Sequence, residues 1–335
     1  MINIFDVVAL GELLIDFTPT GNSSSNNLCF ERNPGGAPAN VLTAVSKLGV
    51  KCAFIGKVGN DQFGKYLKSV LEDNHIDARG LSFSEKVNTT LAFVHLDKSG
   101  DRSFSFYRSP GADLMLSPED LKLDVVKDCK IFHFGSLSMT NEPARSATLK
   151  AAQYAKSEGK IISYDPNWRP LLWENDMAAR SGMLLGLEYA DILKISETEM
   201  EFLTGESNLE NGSKILFDKG IKLVLVTLGP KGCFYRCGEG CGHLNTYDTK
   251  VVDTTGAGDA FLGGLLYQIS RRELPLVEIN KTMMSSIIDF SNAVGALCAS
   301  KRGAIPAMPS LSDVVDCMKK FQKINTGDEF RQFEY

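Results

Sequence analysis

Long apolar runs are missing from this sequence. No stretch approaches the ~18 residues that cross a bilayer as a helix, so a membrane is not an expected partner. The opening residues, MINIFDVVALGELLID, place no basic segment ahead of a long apolar one. They read as a strand rather than a secretory signal, and the expected location is cytoplasmic. No Lys/Arg block or stripe occurs and the net charge is −5, which removes the electrostatic footprint of a nucleic-acid binder. Eight cysteines are scattered through 335 residues without an export signal and read as reduced thiols. The sequons at Asn22, Asn88 and Asn211 then read as chance matches. Cys233, Cys237, Cys241 and His243 recur at spacings that fit no usual zinc pattern. Cys233 and Cys237 fall on one side of a strand, where small apolar packing on a hairpin explains them. A phosphate-binding G-x-x-x-x-G-K-[ST] is also absent. Residues 256–261, GAGDAF, fail the dinucleotide pattern G-x-G-x-x-G, which disfavours P-loop and nicotinamide readings. Neither repeats nor linkers divide the chain, so residues 1–335 are expected to form one domain.

What is present is an alternation. Apolar residues make up 43% of the chain, enough for a large core. Short apolar runs at 5–11, 52–56, 130–135, 160–165, 191–196 and 222–229 read as strands covered on both faces. Helical patterns lie near 38–48, 61–73, 117–128, 143–158 and 177–187, then at 258–271, 278–299 and 311–323. Such alternation predicts an α/β fold with a mostly parallel central sheet flanked by helices, and ligands beyond the carboxyl ends of its strands. Two stretches depart from it. Residues 12–34 look irregular and polar, with GNSSSNN in their middle. Residues 89–108 look like a hairpin around Asp97–Asp101, and such an insertion is a candidate lid.

Residues 253–264, DTTGAGDAFLGG, carry the chemistry. Thr254 to Gly258 lead directly into a helix with apolar positions 261, 262, 265, 266 and 269, and Gly263–Gly264 permit close packing. A glycine-rich loop at a helix N-terminus is an anion hole. Asp259 stands inside it. One reading makes Asp259 a helix cap. The other makes it a base: an anion site beside a proton acceptor suits transfer of a phosphoryl group to an alcohol.

DTTGAGDAFLGGLL resembles the C-terminal signature of the ribokinase-like (PfkB) carbohydrate kinases. PGGAPANVLTAVSKLGVKCAFIGKVGNDQFG, residues 34–64, resembles the N-terminal one, and the resemblance spans about 5–315. GELLIDF, FYRSPGADLML, YDPNWRPLLW, KISETEMEFLTG and KRGAIPAMP are similar to fructokinases within the family. The resemblance implies a ribokinase-like fold with a small β lid built from segments 12–34 and 89–112. It implies ATP-dependent phosphorylation of D-fructose to fructose 6-phosphate, with Mg²⁺ and a K⁺ site as companions. Asp259 becomes the base, and Gly256, Ala257 and Gly258 the anion hole. Asp16, Gly35, Gly36 and Asn40 become sugar-binding positions: a carboxylate orients hydroxyls, glycines admit close approach and an amide both donates and accepts. Arg108 and Arg169 bind sugar or phosphoryl oxygens on one reading and pair with carboxylates on the other. Phe104 and Phe106 face the sugar from the hairpin or simply pack. Lys194, Thr227, Gly229, Gly232 and Asn292 match nucleotide-site positions, with helix surface as the alternative for Asn292. Glu199 matches the acidic end of the family's N-x-x-E motif, linked to Mg²⁺ through water. Ser196 stands in place of that motif's Asn. Asp253, Thr255 and Gly303, with carbonyls of about 298–303, are K⁺ candidates. A homodimer through the lid is expected. Aminoimidazole riboside and 2-keto-3-deoxygluconate kinases are the alternatives in the same class; a catalytically silent member that binds partners is the alternative outside it.

Overall fold

The structure is a computed structural model; it describes residues 4–96, 102–325 and 330, and at 96 and 102–104 the backbone alone. Thirteen strands occur among the described residues: β1 Phe5–Leu10, β2 Leu14–Asn22, β3 Leu28–Gly35, β4 Cys52–Gly59, β5 Ile76–Ser84, β6 Leu91–Leu96, β7 Arg102–Tyr107, β8 Cys129–Gly135, β9 Ile161–Asp165, β10 Ile192–Ser196, β11 Leu223–Thr227, β12 Cys233–Cys237 and β13 Gly240–Leu244. Nine form a large sheet in the order β13-β12-β11-β10-β9-β8-β1-β4-β5. Pairing is parallel from β5 through to β11 and antiparallel in the terminal hairpin.

The apolar runs become the middle of this sheet because both of its faces are covered. Val8 and Leu10 of β1 enter one core with Phe132, Phe134 and helices Ala144–Ser157 and Asp176–Leu187. Val7 and Ala9 enter the other, with Phe54 and helices Ala37–Lys47, Gln62–Asp73, Ala257–Ser270 and Lys281–Ala299. Successive side chains of one strand thus feed opposite cores, as strand geometry requires. Cys233 and Cys237 do lie on one side of β12, in the second core.

Four strands form a second sheet in the order β3-β2-β6-β7. Residues 12–34 are therefore not irregular. They form an antiparallel hairpin, with Asp16 opposite Asn33 and Phe17 opposite Arg32. The hairpin of 89–108 is the β6–β7 pair, joined to the first by parallel pairing of β2 and β6. Helix is shorter than expected in 117–128, where only Leu123–Lys127 is α-helical. Strand β5 and helices Glu197–Thr204 and Leu209–Phe217 carry no strong apolar signature and were not legible as separate elements. No helix among the described residues is long and apolar enough to cross a membrane.

Candidate active site

Among the described residues, six helices begin with a capping side chain: Asp61, Asn175, Ser196, Asn208, Asn280 or Ser310. Helix Ala257–Ser270 does not. It starts on Gly256 at φ 76°, with no side-chain cap. A Cβ at Gly256 would stand 2.5 Å from that of Ala304, and the left-handed backbone already favours glycine. An N-terminus without a cap leaves first-turn N–H groups to bind an anion.

Asp259 sits in that first turn but does not cap it. Its Oδ2 accepts from Asn40 Nδ2 at 2.8 Å, across 219 positions of sequence. Asn40 lies in helix Ala37–Lys47, which also lacks a side-chain cap and begins on Gly36 at φ 116°. The two helices approach closely because Gly263 faces Ala44, where a Cβ would be 2.5 Å away. Gly264 does the same against Val294 of helix Lys281–Ala299, at 2.9 Å. The Oδ1 atom of Asn40 is buried and has no partner within the protein.

Burial pushes the Asp259 carboxyl up to about 6, with Lys194 pulling it back and Asp165 adding to the rise. Lys194 ends its reach beside the anion loop: a Cβ on Gly258 would lie 3.1 Å from its Nζ. That ammonium pairs with Asp165 Oδ2 at 2.8 Å. Burial works against its charge, but Asp165, Glu199 and Asp259 outweigh burial and raise its pKa. Three carboxylates thus surround one ammonium, and such a site favours further positive charge. Asp165 was missed in the sequence, although it ends β9 at the sheet's carboxyl edge, where the fold rule points.

On the other side, Asp16 lies against the backbone of Gly35; a Cβ on Gly35 would collide with Asp16 Oδ2. Burial lifts the Asp16 carboxyl to about 6, against the pull of Arg169. Arg169 is exposed, acts on both Asp16 and Asp259, and donates from Nη1 to the Trp168 carbonyl at 3.0 Å. Phe106 stands opposite Ala92, itself opposite Asp16, so all three share one face of the small sheet. The Phe104 side chain lies outside the described residues.

Arg108 is used differently from the sugar-binding expectation. It is 7% exposed, and each of its guanidinium nitrogens already donates within the protein. Nε reaches Asp113 Oδ2 at 2.8 Å, Nη1 reaches Thr140 Oγ1 at 3.3 Å and Nη2 reaches the Leu137 carbonyl at 2.9 Å. The carboxylate-pairing reading is the one the geometry favours.

Ser196 and Glu199 form a reciprocal cap on helix Glu197–Thr204. Glu199 Oε2 accepts from Ser196 N and Oγ, both at 2.8 Å, and its Oε1 accepts from Trp168 N at 2.6 Å. The serine at this motif's first position has a structural job that its S-x-x-E spacing could have disclosed. Among the described residues no three His, Cys, Asp or Glu side chains converge to hold a metal by themselves.

Thr227 ends β11, and Gly229 and Gly232 follow with φ of 57° and 87°. Asn292 is not helix surface: it is 3% exposed and donates to the carbonyls of Leu244 and Asn245 at 3.1 and 3.2 Å. It shapes the loop after β13. Asp253 gathers the remaining candidates. Its Oδ1 accepts from Thr255 N and Oγ1 at 3.0 and 2.7 Å, and its Oδ2 from Gly303 N at 3.0 Å.

A family model described as pfkB family carbohydrate kinase matches residues 5–311. This chain belongs to that family. Within it, the chain is 43% identical over 330 residues to probable fructokinase-3 of Arabidopsis thaliana, covering 98% of this chain and 95% of the relative. Fructokinase of Xylella fastidiosa with bound ATP superposes with a TM-score of 0.87 at 34% identity, covering 94% of this chain and 98% of that one. Fructokinase of Vibrio cholerae O395 bound to fructose, ADP and calcium superposes at 0.84, also with 34% identity, covering 94% and 99%. Family membership makes the chain a sugar phosphotransferase of ribokinase-like α/β fold.

Proposed function

We propose that this pfkB kinase is an ATP-dependent fructokinase that converts D-fructose to fructose 6-phosphate. The observation that carries the reading is the Asn40–Asp259 pair at an uncapped helix N-terminus: a base and an anion hole occupy the same spot. Asn40 holds one Asp259 oxygen and leaves the other to take the proton of the attacking hydroxyl. The sugar hydroxyl oxygen, as it gives up that proton, bonds to the γ-phosphorus while the bond to the leaving ADP breaks. The N–H groups at Gly256 and Gly258 receive the developing charge, that of Ala257 already donating to the Thr254 carbonyl at 3.2 Å, and Lys194 adds to it from beside Gly258. Asp16, Gly35, Gly36, the free Asn40 oxygen and Arg169 orient the sugar. The turn at Gly229 and Gly232, Thr227 and the loop shaped by Asn292 are the nucleotide side.

The three carboxylates around Lys194 fit a divalent cation. Mg²⁺ would supply charge neutralisation for the phosphates. Glu199 and Asp165 are the residues that would face its waters. Asp253, Thr255 and Gly303 with their neighbouring carbonyls are the K⁺ site of this reading, supported by their convergence behind the anion loop.

The small sheet, contributed by segments 12–34 and 89–112 of a single domain, is the lid. Its Tyr107 and Leu28 are 66% and 56% exposed, which supports pairing with a second copy. Free cysteines support a cytoplasmic location. ADP release with Mg-ATP, measured on fructose, glucose, ribose, 2-keto-3-deoxygluconate and aminoimidazole riboside with and without K⁺, tests the whole reading. Preference for fructose is expected. Turnover of another sugar would keep the mechanism and change the substrate, and silence across the panel would overturn both. Sedimentation at micromolar concentration tests the dimer.

A further inference from the structure

The chain passes between the large and small sheets four times: at residues 11–13, 35–37, 88–90 and 108–113. Separate connections of this kind let a small sheet tilt unless they are tied to one another. Here they are. The first is tied to the second by Glu12 Oε1, which accepts from Ala37 N at 2.9 Å, while the Glu12 carbonyl fills the space a Cβ on Gly36 would need. The first is tied to the third where Ile15 N donates to the Thr90 carbonyl at 3.1 Å. The third is tied to the fourth twice: the Thr90 hydroxyl donates to Asp113 Oδ1, and Ala112 N donates to the Asn88 carbonyl at 2.9 Å. Asp113 Oδ2 in turn holds Arg108 Nη2 at 2.7 Å, and Arg108 anchors the set to Thr140 and Leu137 of the body. Thr89 adds a second anchor through Asp61, at 2.8 Å from both its N and its Oγ1.

Glu12, Thr90, Arg108 and Asp113 are 4%, 0%, 7% and 5% exposed. Buried ions gain little net stability over apolar residues of the same volume, so cohesion alone does not account for them. What they supply is a defined angle. Asp16 stands two residues beyond Leu14, roughly 7 Å along the strand. A tilt of about 5° at the root would move it by roughly 0.6 Å, comparable to the ~0.5 Å tolerance of a working site.

We propose that Glu12, Thr90, Arg108 and Asp113 are positioning residues, a buried polar clamp at the root of the small sheet that sets where Asp16 stands over the sugar and keeps water from replacing it. The inference rests on the kinase reading above. Because the clamp acts on the sugar side, its loss changes sugar binding and coupling while leaving nucleotide binding alone.

Thr90→Val tests it in the full-length protein, since valine keeps the shape and removes only the hydroxyl. Sugar-dependent ADP formation and sugar-independent ATP hydrolysis are measured side by side. The expected result is a rise of about tenfold in sugar KM, the order of one buried hydrogen bond. KM for ATP stays within about twofold, and a larger share of ATP is lost to water. Thr90→Ser restores coupling. If Thr90→Val does not fold, Asp113→Asn reports the same split, because it removes the charge that holds Arg108 and leaves an amide beside the Thr90 hydroxyl. A lower melting temperature with unchanged sugar KM and coupling would overturn the clamp and leave the kinase reading intact. Wild-type protein that releases no ADP on any sugar would overturn the kinase reading and the clamp with it.

Discussion

The two sheets are built from opposite kinds of strand. β1, β8, β10 and β11 bury nearly every residue, whereas β3, LCFERNPG, buries only its last two. The large sheet is covered by helices on both faces and spends its sequence on cohesion. The small sheet keeps one face for Asp16, Asn33 and Phe106 and the other for an aromatic cluster. In that cluster Phe17 stacks on Phe93 at 4.8 Å, and Phe30 and Tyr107 pack edge-on at 5.5 Å. Stability and selectivity are therefore expected to separate by sheet, and substitutions should be able to move one without the other.

The largest effect belongs to neither sheet but to the N-terminus of helix Ala257–Ser270. Asp259→Asn is expected to lower kcat by ~10²–10⁴, the usual worth of a general base, with ATP affinity retained in a binding titration. A near-normal kcat would leave Asp259 without a role in proton transfer. The next test splits the sheets. Phe134→Ala removes a fully buried ring from the large sheet. It should cost about 3–5 kcal/mol in denaturant unfolding and leave sugar KM unchanged in whatever folds. Asp16→Ala should do the reverse, raising sugar KM by ~10–100-fold through lost charged hydrogen bonds with little change in the unfolding midpoint. If both variants moved both quantities, the division between the sheets would fail.

Acidity gives a third test. Asp259 and Asp16 both stand near 6 in the folded protein, chiefly through burial. Both must be ionised in the free enzyme, so kcat/KM for the sugar falls as pH drops through about 6. The decline steepens toward two protons where both groups titrate. Stability runs the other way. A carboxyl raised on folding favours the native state below its unfolded value of 3.8 and loses that contribution as pH rises through about 6. Asp259→Asn should therefore melt above the wild type at pH 8, with the gap closing toward pH 3. A constant gap would show that charge is not its cause. The smallest expected effect lies at a helix cap. Ser310→Ala removes the reciprocal cap of helix Leu311–Lys320 and should cost about 1 kcal/mol of stability with unaltered kinetics.

The same difference explains what could be read in advance. Strands covered on both faces announce themselves as apolar runs, so the parallel core was legible from FDVVAL, KIFHFG and KLVLVT. Strand β3 was not, because its first six residues are exposed or half-buried and show neither an apolar run nor clean alternation. The chemical centre was legible at Asp259 and its glycines, since a loop that opens a helix has a local signature. Asn40 was visible only through the family resemblance. Its contact with Asp259 depends on two helices meeting at Gly263 and Ala44, a contact no local pattern encodes. Arg108 was ambiguous for a similar reason: its partners come from two separate turns of the chain, Asp113 from one and Leu137 and Thr140 from the other. Glu12 and Asp165 lay inside the family-like stretches GELLIDF and YDPNWRPLLW, but nothing local marked either as a site residue.

The pairing of Ile15 with Leu91 has a consequence for how the chain is made. Each half of the small sheet is a local hairpin, but the seam between them waits until the intervening helices, β4 and β5 have been synthesised. At ~5–20 residues per second, the first hairpin stands with its β2 edge open for about 3–12 s. Hydrogen exchange during refolding should find the amide of Ile15, which bonds across that seam, protected later than the amides of β1 next to it.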